Sequence, residues 1–162
     1  MEADRAVVWG VVALVVVTTL ASGPLVGAVD LTQERESTAY GQGSVTVDNV
    51  TLPANATLMA GRFGAGEYTL RVPDAAVQIE SVEGRPLLVY KIDIPERGYS
   101  RSSTHFLSAD SAGAFAATLA DDRFAPDTVD QRSYDAELRL LVRANDTSRV
   151  VAERSITVEV IE

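Results

Sequence analysis

Cysteine is absent from the 162 residues, which excludes disulfide scaffolding, thiol nucleophiles, thiolate metal sites and acylated-cysteine anchors. Histidine is almost absent as well: His105 is the only one, and this side chain is the usual carrier of protons near neutral pH. Lysine is reduced to Lys91, so arginine carries nearly all the positive charge. The net charge is -9, and a surface of that sign repels nucleic acid. No nucleic-acid partner is expected. The acidic residues are scattered and not gathered in one run, the pattern of a solvated surface rather than of one acidic site.

Apolar sequence, in contrast, is concentrated at the N-terminus. Residues 6–29 hold 24 consecutive uncharged positions, beginning AVVWGVVALVVVTTL, and about 20 apolar residues are enough to cross a bilayer as a helix. Residues 1–29 therefore read as one transmembrane or signal helix. A retained helix gives a single-pass membrane protein with its C-terminal part outside. Cleavage after Ala28, where Val26-Gly27-Ala28 follows Pro24, gives a secreted protein. A third outcome comes from Arg5-Ala6-Val7-Val8, which resembles the cleavage motif of archaeal prepilin-like proteins. That resemblance implies cleavage after Arg5 and a pilin-like or archaellum-accessory subunit.

The three asparagines, Asn49, Asn55 and Asn145, all begin N-x-T sequons. With 25 Ser and Thr in 162 residues, a given Asn would meet one two positions later only about 15 percent of the time, so three matches from three point to export and glycosylation.

Residues 30–43 are polar, lack apolar periodicity and read as a linker. From residue 44 to residue 162, short alternating segments are separated by Pro, Gly, Asp and Asn. This predicts an all-β domain, an antiparallel immunoglobulin-like sandwich of about 7–9 strands. In EYTLRV, Tyr68, Leu70 and Val72 share a face; in LLVYKIDI, Leu88, Tyr90, Ile92 and Ile94 do, and the apolar Leu87 and Val89 opposite them mark a central strand. Near the C-terminus, Ala136, Leu138, Leu140 and Val142 alternate with Glu137, Arg139, Leu141 and Arg143, and Ile156, Val158 and Val160 point inward after a turn at Asn145-Asp146. This is the clearest hairpin, with the Asn145 sequon at its tip. SVTVDNVTL changes phase between Val47 and Val50, which predicts a bulge or an edge strand. Ala112–Ala120 reads as a strand through Phe115, Ala117 and Leu119.

Signals for chemistry are thin. His105 lies beside Ser102, Ser103 and Thr104, yet neighbours on one strand do not form a triad and no G-x-S-x-G elbow is present. GRFGAGEY is followed by a strand rather than by the helix that phosphate binding requires. Asp121, Asp122, Asp127 and Asp130 supply oxygen ligands without the spacing of a calcium loop. No catalytic residue, metal site or cofactor is assigned. Tyr99, Arg101 and His105, on a hydroxyl-rich stretch, are the candidate interaction surface. Arg154 falls on the inward parity of Ile156 and Val158, where a charge needs a partner.

The stretch from Arg85 to Phe106 and the ending RSITVEV, with the acidic, lysine-poor composition, resemble small exported or membrane-anchored β-sandwich proteins of haloarchaea. The resemblance implies a halophilic protein and carries over no functional residue. The expected role is a non-catalytic binding or structural module of the cell envelope, with the membrane and an envelope protein as partners. A membrane-tethered hydrolase is the remaining alternative.

Overall fold

The structure, a computed structural model, describes residues 39–61 and 66–162. The hydrophobic stretch 1–29, most of the linker and residues 62–65 of the glycine-rich segment lie outside the described residues. The described part is all-β, with strands β1 (Gln42–Thr51), β2 (Asn55–Ala60), β3 (Tyr68–Arg71), β4 (Ala75–Arg85), β5 (Leu87–Ile94), β6 (Tyr99–Phe106), β7 (Gly113–Ala117), β8 (Asp122–Phe124), β9 (Ser133–Ala144) and β10 (Thr147–Ile161). They form a three-stranded sheet in the order β1-β4-β7 and a seven-stranded sheet in the order β6-β5-β9-β10-β2-β3-β8.

Two expectations need correction. Strand pairing is not wholly antiparallel: β2 runs parallel to β10, from Asn55 opposite Thr157 to Met59 opposite Ile161. Pro53 explains the change of sheet, because it has no N–H to continue the β1 ladder and stands where the chain crosses over. Arg154 fixes that crossing by donating to the Leu52 carbonyl at 2.9 Å, which is how this inward-parity charge finds its partner. Among the described residues, strands number ten rather than seven to nine, since part of the acidic loop forms the edge strand β8. The Gly41 N–H donates to the Arg85 carbonyl at 2.8 Å, and β1 starts at Gln42.

Both sheets contribute to one core. Val77, Ile79 and Ala117 come from the small sheet and Leu58, Leu70, Leu88, Ile92, Leu138 and Val158 from the large one. Full burial of such a side chain contributes roughly 1.5–3 kcal/mol. No polar or charged residue is fully buried among the described residues. The phase change in β1 is resolved by a bulge around Asp48, between the Val47–Ile79 and Asn49–Gln78 pairs. One extra residue lets Val45 and Val47 before it and Val50 and Leu52 after it all pack on the core.

The edges of the seven-stranded sheet, β6 and β8, meet each other through side chains. Tyr99 on β6 packs edge-to-face on Phe124 of β8 with ring centres 4.9 Å apart, and Tyr99 and Arg101 both bond to Asp122. The two edges of the large sheet are thus tied together by side chains and not by a backbone ladder.

Candidate functional site

β6 pairs with β5 so that Tyr99 faces Ile94, Arg101 faces Ile92 and His105 faces Leu88. Directly opposed residues point to the same side of a sheet, so all three predicted contact residues project toward the core side. Their polar atoms bond within the fold. Asp122 Oδ2 accepts from the Tyr99 hydroxyl and from Arg101, each at 2.8 Å. Burial works to raise the Asp122 pKa, but the hydrogen bonds from Tyr99, the Arg123 N–H and Arg101 outweigh it and hold the carboxyl below its usual value. Burial, and then the bond to Asp122, pushes the Tyr99 phenol up. His105 Nε2 lies 3.0 Å from the Thr118 carbonyl, and its ring packs on Phe115 with centres 5.6 Å apart. Inward-pointing polar residues of this kind also discourage pairing of an edge strand with other chains.

A second hub adjoins this seam. The Tyr134 hydroxyl accepts from the N–H groups of Asp130 at 3.0 Å and Gln131 at 3.1 Å, and from Arg97 at 3.0 Å. It also donates to Asp130 Oδ1. The Arg97 guanidinium, which also bonds the Thr128 carbonyl, lies over both the Phe124 and the Tyr134 rings, 4.9 Å from each centre. The acidic loop is thus divided among separate tasks. Asp121 pairs with Arg71 at 3.3 Å, Asp122 holds the seam and Asp130 serves Tyr134. Among the described residues, no three His, Asp or Glu side chains group as metal ligands would.

The outward face of the large sheet differs in kind. Across β6, β5, β9 and β10, one row reads Thr104, Val89, Leu141 and Val150, and the next Ser102, Lys91, Arg139 and Glu153. In the charged part, Lys91 pairs with Asp93 at 2.8 Å and Arg139 with Glu153 at 2.9 Å; Arg139 also pairs with Glu137 and lies 3.7 Å from Asp93. Burial alone would raise the Asp93 pKa, yet hydrogen bonds from Lys91 and Ser100 and the charges of Lys91 and Arg139 lower it. Lys91 is opposite Ser102, but its ammonium is engaged by Asp93. Ser103, on the other face, is opposite the buried Tyr90.

Beyond the charged rows lies an exposed apolar cluster. Phe106 is 61% exposed, Tyr40 64% and Val150 48%. The Tyr40 and Phe106 rings meet edge-to-face at 4.9 Å, and Arg85 stacks over Tyr40 at 5.1 Å. Leu87 lies directly opposite Phe106, joining the pair to the Val89–Leu141–Val150 row. The signal for this cluster was present in β6, where Phe106 follows Ser100, Ser102 and Thr104 on the same parity: an aromatic on a polar face.

The sequons fall at three different places. Asn49 is exposed on the edge strand β1, Asn55 is exposed at the first position of β2, and Asn145 is at the tip of the β9–β10 hairpin. Compared with known proteins, the chain matches no family model and no curated protein.

Proposed function

We propose that the chain is a non-catalytic binding or structural module of the cell envelope, an immunoglobulin-like sandwich held outside a membrane by its N-terminal hydrophobic segment. The immunoglobulin-like reading is supported by the connectivity. The first strand belongs to the small sheet, its continuation joins the large sheet parallel to the last strand, and β9 and β10 form the final hairpin. Tyr134, at the start of the penultimate strand with its hydroxyl bonded three and four residues upstream, matches the tyrosine corner of such domains. Tyr90, fully buried on β5, occupies the central-strand position that a tryptophan fills in antibody domains.

The observation that carries the binding role is the Tyr40–Phe106 cluster on the outward face. Exposed aromatic and aliphatic side chains rimmed by charged rows favour a protein partner, because aromatic anchors and Arg dominate contact energy while surrounding polar groups exclude water. The 6–29 run and the sequons support a location outside the membrane.

Mild crosslinking in membranes from the producing cell, followed by purification, tests the role. The wild-type chain is expected to retain an envelope protein that Tyr40→Ser/Phe106→Ser loses; equal capture by both would contradict the assignment. The mass of the mature N-terminus tests the topology. A start at Met1 fits an anchored protein and a start at Val29 a secreted one, whereas a start at Ala6 would replace the reading with a pilin-like subunit.

A further inference from the structure

We propose that the fold sorts the three sequons: Asn49 and Asn55 accept an N-linked glycan on the folded protein, and Asn145 does not, because its side-chain amide is a structural clasp. The setting rests on the exported reading above, but the sorting itself rests on hydrogen-bond geometry. Exposure alone does not distinguish the sites, since all three asparagines are exposed.

Asn145 and Asp146 form the two-residue turn between β9 and β10, with φ of 51° and 60°, the left-handed geometry that Asn tolerates and that tight hairpins require. This geometry aims the Asn145 amide at the beginning of β1. Oδ1 accepts the Gly43 N–H at 3.1 Å and Nδ2 donates to the Gly43 carbonyl at 2.9 Å. The Asn145 N–H itself donates to the Gly41 carbonyl at 2.7 Å. Gly43 cannot recede from this clasp. It pairs with Gly84, its φ is 119°, and a Cβ built on it would lie 2.0 Å from the Glu83 carbonyl oxygen, so the two backbones are already in contact.

A side-chain amide that engages both the N–H and the C=O of one residue uses Oδ1 together with the Nδ2 hydrogen on the same side as Oδ1. In glycosylation, Nδ2 bonds the anomeric carbon of a lipid-linked oligosaccharide, one amide hydrogen leaves as a proton and the lipid pyrophosphate departs. The product is a secondary amide, and in its trans form the sugar carbon occupies the side of Oδ1, where the clasp hydrogen was. Keeping the clasp would need the cis amide, at about 2.5–4 kcal/mol. Modification of Asn145 and the folded hairpin contact therefore exclude each other.

Asn49 is in the opposite situation. Its side chain opens onto a groove of about 380 Å³ that Thr51, Ala76, Gln78 and Ala116 also line. Thr51 is thus presented beside the asparagine it serves, and Ala76, Ala114 and Ala116 leave room in the groove for the first sugar. Asn55 stands opposite Thr157 at the start of a strand.

The test incubates the purified full-length chain in detergent with an oligosaccharyltransferase that reads N-x-S/T and its lipid-linked donor, before and after unfolding. Occupancy is then read by glycopeptide mass spectrometry. On the folded protein, Asn49 and Asn55 are expected to be modified and Asn145 at least ten-fold less, with the difference lost on unfolding. Occupancy of Asn145 within two-fold of Asn49 on the folded chain would overturn the proposal, as would refusal of Asn49 and Asn55 only when folded. Bare asparagines at all three positions in protein taken from its own envelope would instead count against the exported reading.

Discussion

β9 and β6 belong to the same sheet, separated only by β5, and are built by opposite rules. Every inward residue of β9 from Tyr134 to Val142 is buried, and all but Tyr134 are purely apolar. The inward residues of β6 are Tyr99, Arg101, Ser103 and His105, and each is only half-buried. A central strand is paired along both edges and held by the burial of its inward face. An edge strand must satisfy its own rim, and β6 does so with hydrogen bonds and charge directed at Asp122 and Thr118. Stability at the centre should therefore be insensitive to pH, whereas the seam should respond to it.

The largest effect is expected at the centre. Leu138→Ala, at a position with no solvent exposure, removes core volume that the surrounding strands refill only in part and should cost about 2–5 kcal/mol. Chemical denaturation should give the same loss at pH 5 and pH 8. Tyr134→Phe comes next: it leaves the Asp130 and Gln131 N–H groups without their acceptor and should cost about 1–3 kcal/mol, seen as a melting temperature lower by several degrees.

At the seam, Asp122→Asn should cost about 1 kcal/mol near neutral pH, with faster amide exchange in β6 and β8 than in β9. The pH dependence has a definite sign. The Asp122 pKa is lowered on folding from an ordinary value of 3.8, so its contribution is complete above that value and is lost as pH falls through the lower folded value. The wild type should lose stability more steeply than Asp122→Asn in that acid window. The smallest effect on stability is expected for Phe106→Ser, within about 0.5 kcal/mol, because Phe106 is mostly exposed.

Periodicity made the centre of the fold legible. The inward sets of β5, β9 and β10 follow the alternation that a buried face imposes, and the bulge in β1 announced itself as a change of phase. Parallel pairing of β2 with β10 left no local trace, since Pro53 signals the end of one ladder but not the destination of the chain. Nor could β8 be recognised, because a three-residue strand is too short to show a period and Asp122-Arg123 resembles any polar loop. The candidate site was legible by composition but not by direction. Tyr99, Arg101 and His105 stood out as polar residues on a hydroxyl-rich strand, whereas their inward facing is set by their register against Ile94, Ile92 and Leu88 of β5. Tyr134 carried no local signal, because its hydroxyl partners come from the preceding turn.

The two faces of β6 can be separated directly by placing a photoreactive residue at position 106 or at position 101 of the full-length chain and illuminating intact membranes. Capture of a partner protein from position 106, with position 101 yielding only crosslinks within the chain to the segment around Asp122, is the predicted result. Capture from position 101 with none from position 106 would contradict the account.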